Sequence, residues 1–288
     1  MNNFAIGIVL FNPNISILKK NINNINDSKL PIILINNGSS NINEIEEMLV
    51  NFKNLNIILK NNDRNMGIAK ALNQICDEAD SMKCEWALTL DQDTIFSNDI
   101  LDKYNEFITY KDVAMLCPQV IDRNRNDNKI IDYKRIPFER IDKCITSASL
   151  LKIKAWKKVG RFDENMFIDG VDFDICYRLK TAGYNILRIN EVIVSHAIGH
   201  ISERKFLFWN VQVKNHSSFR KYFIARNIIY LARKQRKGYK FIRTIFSEIK
   251  LILITLVYEK NKMNKEKAIF NGIFDGISMG IMDGRIEK

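Results

Sequence analysis

The sequence predicts an α/β protein with a mostly parallel central sheet and a helical C-terminal extension. Two observations in the first half favour the sheet: short apolar runs of strand character alternate with segments of helical period, and polar residues follow several of these runs. The third observation is a change near Arg204, after which the pattern is basic and helical. In such folds, ligands bind beyond the carboxyl ends of the parallel strands.

Five runs in the first half have the length and composition of strands. They are Phe4–Phe11, Pro31–Asn36, Asn56–Lys60, Trp86–Asp91 and Val113–Cys117. The clearest helix between them spans Ile68–Ala79, where apolar residues recur at helical spacing. Such alternation is expected to place helices on both faces of the sheet.

The middle of the chain is predicted to hold a loop and one further helix. Residues 123–140 are polar and lack periodicity, which favours a surface loop. A helix is expected from about Gly170 to Thr181, with Gly183 as its stop signal. Its buried side is predicted to consist of Val171, Ile175, Leu179 and Ala182.

The C-terminal region is strongly basic. Between Lys214 and Arg243 the chain carries ten Lys and Arg residues and no Asp or Glu. Such a block attracts anions, or it is a solvated helical face. A wide apolar stripe follows over residues 241–257, and three partners remain open for it: the first domain, a second copy of the chain, or a membrane surface.

Composition argues against several classes of protein. The chain has 288 residues, 46% of them hydrophobic, and a net charge of +11, which suits one large α/β domain with an appendage. We find no signal peptide and no run of about 18 apolar residues, so a cytoplasmic protein is expected. Five widely spaced cysteines without a CxxC pair argue against disulfides and against a zinc site. No nucleic-acid-binding module, P-loop, G-x-S-x-G or H-E-x-x-H motif occurs, and nucleic acid is not expected as a partner.

An acidic pair follows the fourth apolar run. Asp91 and Asp93 form a D-x-D sequence, and their carboxylates are expected on the same side of an extended backbone. Two hard oxygen donors there can hold Mg²⁺ or Mn²⁺ beside the phosphates of a substrate. The alternative is an ordinary acidic turn after a strand, and this pair alone favours neither.

A second acidic cluster lies at the start of the helix near residue 170. Asp169 is placed to cap that helix, and Asp174 and Arg178 have the spacing of an intrahelical ion pair. Asp172 lacks such a structural explanation and borders the buried side, so it is the candidate general base. Burial favours the protonated acid whereas the helix dipole favours the carboxylate, and the sequence leaves that balance open.

Three further positions are candidates for ligand contacts. His196 ends an apolar run and is a candidate third metal ligand, although a lone histidine after a strand is more often structural. Asn65 and Gly67 lie at the start of the predicted helix Ile68–Ala79, where backbone N–H groups can approach a nucleotide or a phosphate. An ordinary helix cap is the alternative there.

Six short motifs occur in a characteristic order. They are LFNP at 10–13, INNGS at 35–39, NMGIAKALN at 65–73, LDQD at 90–93, VGRFDENMFIDGVDFDICYRLKTAGY at 159–184 and HAIG at 196–199. The set resembles the family 2 glycosyltransferases and, among them, the bacterial rhamnosyltransferases. The tail matches in style as well, so the resemblance covers nearly the whole chain. It implies a GT-A fold, a divalent metal, and an inverting single displacement.

The resemblance also implies roles for individual residues. Asp93 is the expected principal metal ligand, Asp91 faces the nucleotide ribose or the metal, and His196 completes the contacts to the metal and diphosphate. The residues expected around the nucleotide are Phe11, Asn12, Asn36, Asn37, Asn65 and Gly67. Asp172 matches the aspartate that deprotonates the acceptor hydroxyl as it attacks the anomeric carbon.

Three positions depart from the family pattern. Asn36 stands where the second-strand motif usually has aspartate, which removes a charge near the nucleotide. Val171 precedes Asp172 where a glutamate is common. Ala148 follows Ser147 where glycine is usual, and a tighter approach of sugar to backbone is expected there.

The sequence thus predicts a metal-dependent inverting glycosyltransferase of polysaccharide or cell-wall biosynthesis. It is expected to move L-rhamnose from dTDP-rhamnose to a lipid-linked saccharide acceptor at the inner face of the cell membrane. Residues 1–203 are the predicted GT-A domain, with a nucleotide-binding half (1–117) and an acceptor half (118–203), and residues 204–288 are the basic helical region. The alternatives are a UDP-hexose or UDP-N-acetylhexosamine donor, and a catalytically silent binding subunit. A homodimer is also open.

Overall fold

The computed structural model describes residues 3–25, 30–122, 130–196, 202–206, 209–235 and 238–282. The chain divides into two compact units. The first comprises Met1–Glu164, Asp172–Ala197 and Gly284–Lys288, and the second comprises Asn165–Val171 and Ile198–Asp283. The central sheet lies in the first unit, and a two-stranded ribbon and the C-terminal helices lie in the second.

The central sheet is mixed, and its first four strands in sequence pair in parallel. Its strands are β1 (Phe4–Leu10), β2 (Ile32–Asn36), β3 (Ile57–Asn61), β4 (Trp86–Asp91), β5 (Val113–Asp122), β6 (Phe138–Arg140), β7 (Ser149–Lys152) and β8 (Asn185–His196). Their order is β3-β2-β1-β4-β7-β5-β8-β6. Strands β1 to β4 pair in parallel, as do β5 and β8, whereas β7 and β6 are antiparallel to their neighbours. The predicted mostly parallel sheet is confirmed.

Helices cover both faces of this sheet, as predicted. They are α1 (Ile15–Asn24), α2 (Ile42–Leu49), α3 (Ile68–Ser81), α4 (Ile100–Asn105), α5 (Ile153–Lys158) and α6 (Val171–Thr181), with a 3-10 turn at Val50–Phe52. Ile6 and Ile8 of β1 join Leu18 of α1 in the main apolar core. Gly7 between them faces α3 on the other side, and a Cβ there would lie 2.1 Å from Cγ2 of Ile75. The close approach of α3 therefore requires a glycine in β1.

The predicted elements of the first half are confirmed, with small shifts in their bounds. The exception is β5, which continues to Asp122 instead of ending at Cys117. Helix α6 spans Val171–Thr181, and Gly183 follows it with φ of 86°, as its predicted stop signal requires. Ile175 and Leu179 on its predicted inner side are fully buried.

The second unit contains a ribbon followed by helices. Its elements are β9 (Ser202–Phe206), β10 (Trp209–Val213), α7 (Ser218–Lys234), α8 (Gly238–Tyr258) and α9 (Lys262–Ser278). Helices α7 and α9 approach closely, because a Cβ on Gly272 would lie 2.3 Å from the carbonyl oxygen of Tyr222. None of the helices in the described part of the chain is long and apolar enough to cross a membrane.

Two predictions of secondary structure are wrong. The loop predicted over residues 123–140 contains β6, whose Phe138 pairs with Ile189 at the edge of the sheet. A strand of three residues is too short to show periodicity, and its partner is distant in sequence. The helix predicted from Arg204 is instead the ribbon β9–β10, which pairs Ser202 with Val213. Alternation in WNVQV signals a strand, but the many basic residues obscure it.

Candidate active site

The carboxyl ends of three neighbouring parallel strands bring polar residues to one edge of the sheet. Strand β1 lies between β2 and β4, and its register pairs Leu10 with Asn36 and Val9 with Asp91. The residues that follow these strand ends therefore share one edge, as predicted. This is the edge at which parallel α/β sheets bind their ligands.

A side chain that the sequence does not predict joins the ends of β1 and β4. Gln92, the middle residue of the D-x-D motif, accepts a hydrogen bond from the Phe11 N–H at 2.7 Å and donates one to the Phe11 carbonyl oxygen at 3.1 Å. The ring of Phe11 is 44% exposed. The backbone that carries this aromatic ring is thus fixed to the acidic turn.

Asn12 and Asn36 organise the loops that follow β1 and β2. Asn12 adopts φ of 49°, a left-handed conformation that asparagine tolerates. Its Oδ1 accepts hydrogen bonds from N–H and Oγ–H of Ser40, at 2.8 and 2.9 Å. Asn36 accepts a hydrogen bond from the Ser39 N–H at 3.0 Å and donates its amide to Oδ1 of Asn61 at 3.0 Å. An aspartate at position 36 has no amide to donate, so asparagine here serves the loop.

Asn37 has a similar role one residue on. Its Oδ1 accepts hydrogen bonds from the Met66 N–H at 2.9 Å and from the Asn62 amide at 3.1 Å. Its amide donates to Oδ1 of Asn65 at 3.0 Å and to the Gly67 carbonyl oxygen at 3.3 Å. Gly67, with φ of 86°, is the N-cap of α3, and no side chain caps that helix. The buried Asn37 side chain thus shapes the backbone at the start of α3.

The D-x-D motif forms a tight turn directly after β4. The Thr94 N–H donates to the Asp91 carbonyl oxygen at 3.2 Å, and both Asp91 and Asp93 are half-buried. Ser147 holds this turn: its Oγ accepts a hydrogen bond from the Asp91 N–H at 3.2 Å and lies 2.5 Å from Oγ1 of Thr94. Asp93 therefore lies in a turn, which the loop before β7 stabilises. The prediction of extended backbone at this position is wrong.

Asp172 lies beside the same loop. It is half-buried in the first turn of α6, and its Oδ1 accepts a hydrogen bond from Oγ1–H of Thr146 at 2.8 Å and one from the Thr146 N–H at 3.3 Å. Thr146 and Ser147 are consecutive, so the Asp172 carboxylate and the backbone of the acidic turn contact the same dipeptide. The sequence does not predict the role of Thr146.

Strand β7 explains why that dipeptide reaches both groups. Antiparallel pairing of β7 with β4 sets Ser149 opposite Thr89, so the residues before β7 lie alongside the end of β4. Ala148 adopts φ of 56° there, at the position where the resemblance implies glycine. The left-handed backbone costs alanine roughly 1 kcal/mol. A hydrogen bond from the Tyr104 hydroxyl to the Ala148 carbonyl oxygen, at 2.7 Å, helps to hold it.

The backbone of His196 also comes to this region. Ile95 and Ser195 form an antiparallel bridge, with N–H···O distances of 3.2 and 3.1 Å. This register places the His196 backbone opposite Thr94, the residue after Asp93. The side chain of His196 lies outside the described residues, and the described side chains include no group of three His, Cys, Asp or Glu arranged around a metal position. The donors that are described, two carboxylates in one turn, have the chemistry that Mg²⁺ and Mn²⁺ prefer.

A cavity of about 350 Å³ is lined in part by Ile145 and Phe173, the sequence neighbours of Thr146 and Asp172. Phe173, Lys143, Cys144, Ile145 and Ile131 are among the residues that line it. The Phe173 ring is 43% exposed, and Nζ of Lys143 lies 5.2 Å from its centroid. The cavity thus offers a largely apolar surface with two cationic residues, Lys143 and Arg188, in its lining.

The remaining polar residues of the acidic cluster have structural roles. The predicted ion pair of Asp174 and Arg178 is confirmed, and it is buried, with Nε–Oδ2 at 2.8 Å. Asp169 was predicted to cap α6, but its carboxylate forms a bidentate ion pair with Arg220 in the second unit, at 2.9 and 3.0 Å. The hydrogen bond with Asp169 raises the pKa of the Arg220 guanidinium. The five cysteines are free thiols, as predicted.

Comparisons with known proteins give one family and a consistent fold. The sequence model of glycosyl transferase family 2 matches residues 5–176. The dTDP-rhamnosyl transferase RfbF of Shigella flexneri is 25% identical over 293 residues, which cover 96% of this chain and 96% of that protein.

Two solved structures share the architecture. The mannosyltransferase PcManGT from Pyrobaculum calidifontis, in complex with GDP-Man and Mn²⁺, has a TM-score of 0.59 and 13% identity, covering 98% of this chain and 77% of that chain. GalNAc-T7 with UDP, GalNAc and Mn²⁺ has a TM-score of 0.61 and 15% identity, covering 83% of this chain and 49% of that chain. At these identities the likeness shows the fold, and the predicted GT-A fold is confirmed.

Proposed function

The chain belongs to glycosyltransferase family 2, and from that premise we propose that it transfers L-rhamnose from dTDP-rhamnose to a saccharide acceptor with inversion at the anomeric carbon. The observation that carries the proposal is the convergence of the D-x-D turn and Asp172 on the adjacent residues Ser147 and Thr146. Such an arrangement suits a reaction in which the D-x-D carboxylates bind a cation beside the diphosphate and Asp172 accepts a proton. The likeness to RfbF favours dTDP-rhamnose as the donor.

Asp172 is the proposed general base. Its Oδ1 is oriented by Thr146, and it accepts the proton of the acceptor hydroxyl as that oxygen attacks the anomeric carbon. The bond from that carbon to the diphosphate oxygen breaks as the new C–O bond forms, and the nucleoside diphosphate leaves with the electron pair. A single displacement of this kind inverts the anomeric centre. Holding both sugars in line supplies much of the rate enhancement.

The acidic turn is the proposed site of a divalent cation. Asp93 and Asp91 would hold Mg²⁺ or Mn²⁺, with His196 as the proposed third ligand. When bound, such a cation neutralises charge that develops on the departing diphosphate. The structures of PcManGT and GalNAc-T7, which contain Mn²⁺, support this choice of cation. Gln92 fixes the turn to the Phe11 backbone, and Ser147 accepts a hydrogen bond from the Asp91 N–H of the turn.

The remaining contacts of the donor are proposed at the same edge of the sheet. The exposed ring of Phe11 provides an apolar surface for the nucleobase of the donor. The N-terminus of α3 at Gly67 presents backbone N–H groups to its phosphates. Asn12, Asn36, Asn37 and Asn65 act by fixing the loops that form this surface. Their hydrogen bonds are to protein groups, so we assign them positioning roles.

The cavity lined by Ile145 and Phe173 is the proposed entrance for the acceptor. The exposed ring of Phe173 follows the base directly in sequence and offers an apolar face to a sugar ring. Lys143 next to it suits an acceptor that carries phosphate, as a lipid-linked saccharide does.

The test is a donor panel with two matched variants. The protein is incubated with dTDP-rhamnose, UDP-glucose, UDP-galactose or UDP-N-acetylglucosamine, each with Mg²⁺, with Mn²⁺ or with chelator, and nucleotide release and product configuration are measured. We expect Asp172→Asn to lower turnover by at least about a hundredfold while the donor still raises the melting temperature. Asp102→Asn, at an exposed position of α4, is the control. Unchanged turnover in Asp172→Asn would show that Asp172 is not the general base. Nucleotide release from the UDP sugars but not from dTDP-rhamnose would show that the proposed donor is wrong.

A further inference from the structure

Helix α8 carries seven large apolar residues on its solvent side. The exposed residues are Ile242, Ile245, Phe246, Ile249, Leu253, Leu256 and Val257. At about 100° per residue they fall within an arc of about 120°. We call these seven residues the α8 outer face. Phe246 is 67% and Ile242 61% exposed, so the described chain leaves this face uncovered.

The opposite side of α8 carries buried polar residues beside the half-buried Leu251. Thr244, Glu248 and Thr255 lie there, and Glu259 follows just beyond the helix end. Glu259 accepts hydrogen bonds from Lys221 at 2.7 Å and from Lys265 at 2.9 Å, which compensate its burial. A helix that packs on a protein core in water has the reverse polarity. The inverted polarity indicates that the outer face meets an apolar environment.

Helix α9 has a similar exposed stripe. Met263, Phe270, Phe274 and Ile277 are exposed by 86%, 57%, 71% and 57%, and they fall within an arc of about 60°. We call these four residues the α9 outer face. The other side of α9 packs against α7, where a Cβ on Gly276 would lie 2.6 Å from the Arg226 carbonyl oxygen. Its apolar stripe is therefore not the surface that holds the helix in the unit.

The exposed charges on this part of the chain are all of one sign. Among the described side chains of residues 238–282, the exposed charged ones are Arg243, Lys250, Lys260, Lys262 and Lys267. The acidic residues Glu248, Glu259 and Glu266 are buried, and the half-buried Asp275 accepts a hydrogen bond from the Tyr222 hydroxyl at 2.5 Å. Two copies of so basic a surface would repel each other, whereas anionic headgroups would attract it.

We propose that the α8 and α9 outer faces dock on the surface of a membrane that contains anionic phospholipid. The aromatic and aliphatic side chains enter the interfacial layer, and the flanking Lys and Arg residues pair with headgroup phosphates. Exposed apolar stripes beside unopposed basic residues are the pattern of helices that lie in the membrane interface. This inference goes beyond the proposed function, since it rests on the second unit alone and needs neither the donor nor Asp172.

The experiment is flotation of the full chain with vesicles. Wild-type protein is mixed with vesicles of phosphatidylcholine alone, or of phosphatidylcholine with phosphatidylglycerol, at low and at high salt. Phe246→Asp and Phe274→Asp place a carboxylate in each outer face. Val50→Asp is the matched control, because Val50 is an apolar residue of the first unit with 57% exposure. Melting temperatures verify that all variants fold, and light scattering measures the oligomeric state.

We expect flotation with the anionic vesicles, weakened by salt, and a partition coefficient at least about tenfold lower for Phe246→Asp and Phe274→Asp but not for Val50→Asp. Absence of binding to anionic vesicles, or equal binding of all variants, would overturn the proposal. A dimer that Phe246→Asp dissociates, without vesicle binding, would assign the face to a second copy instead. Transfer of rhamnose to a water-soluble acceptor is measured in parallel with the wild-type protein. If that protein binds anionic vesicles but transfers no rhamnose, the result counts against the proposed function and not against membrane docking.

Discussion

Thr146 and Ser147 are adjacent, yet substitutions at the two positions should change different kinetic constants. Thr146→Val removes the hydroxyl that donates to Oδ1 of Asp172 at 2.8 Å and keeps nearly the same shape. Hydrogen bonds to a charged group contribute about 1.5–3 kcal/mol, which corresponds to a loss of about 10- to 150-fold in turnover if the bond orients the base. The donor KM should stay near its wild-type value, because the Thr146 hydroxyl bonds Asp172 whereas the hydrogen bonds to the acidic turn come from Ser147.

Ser147→Ala should have the converse effect. It removes the oxygen that accepts the Asp91 N–H at 3.2 Å and contacts Oγ1 of Thr94 at 2.5 Å, so the acidic turn loosens. We expect the KM for the donor and for the divalent cation to rise by about tenfold, with a smaller effect on kcat.

The assay is steady-state release of nucleoside diphosphate over a range of donor concentrations, with melting temperatures for each variant. Thr146→Ser retains the hydroxyl and should restore most of the turnover. Wild-type kcat in Thr146→Val, equal loss in Thr146→Ser, or the same kinetic change at both positions would refute the reasoning.

The other predictions concern the stability of the second unit. Burial raises the pKa of Glu248 to about 8, above its value of 4.5 in the unfolded chain. The folded state then binds more protons between these values, so stability falls as the pH rises through that range. Glu248→Gln should remove this decline and raise the melting temperature at pH about 9 by more than about 2 °C. Equal pH profiles of stability for the wild type and Glu248→Gln would contradict this prediction. Gly272→Ala forces a Cβ to within 2.3 Å of the Tyr222 carbonyl oxygen and should cost about 1–3 kcal/mol in calorimetry or denaturant unfolding. Gly280→Ala has nothing within 4 Å and should be near neutral, so equal losses at the two positions would show that crowding against Tyr222 is not the cause.

The sequence predicts the site residues that follow parallel strands, but it does not predict the loop before β7 that joins them to Asp172. Asp91 and Asn36 follow apolar runs whose parallel pairing is predictable, so their shared edge of the sheet is predictable too. The convergence with Asp172 depends on β7, which inserts antiparallel between β4 and β5. Four residues of strand give no periodic signal, and only the tertiary pairing of Ser149 with Thr89 brings Thr146 and Ser147 to the acidic groups. Gln92 is missed for a related reason, since its partner is the backbone of Phe11 and backbone has no sequence signature.

The C-terminal helices show a different limit. Periodicity predicts that residues 241–257 form an amphipathic helix, and α8 confirms it. A period does not state which side faces the protein, and the usual assumption places the apolar side inward. In α8 the buried side instead carries Thr244, Glu248 and Thr255, so only the burial pattern reveals the inversion.

This inversion makes Glu248 and the outer face independent tests of one architecture. Glu248 lies about 120° around the helix from the centre of the α8 outer face, so Glu248→Gln changes the buried side without altering the surface offered to lipid. It should therefore flatten the pH dependence of stability and leave vesicle partitioning unchanged, while Phe246→Asp should do the reverse. If Glu248→Gln weakened flotation as strongly as Phe246→Asp at a pH where both variants are folded, the two sides of α8 would not act separately. The solvent-facing stripe would then be a consequence of local packing and not a docking surface.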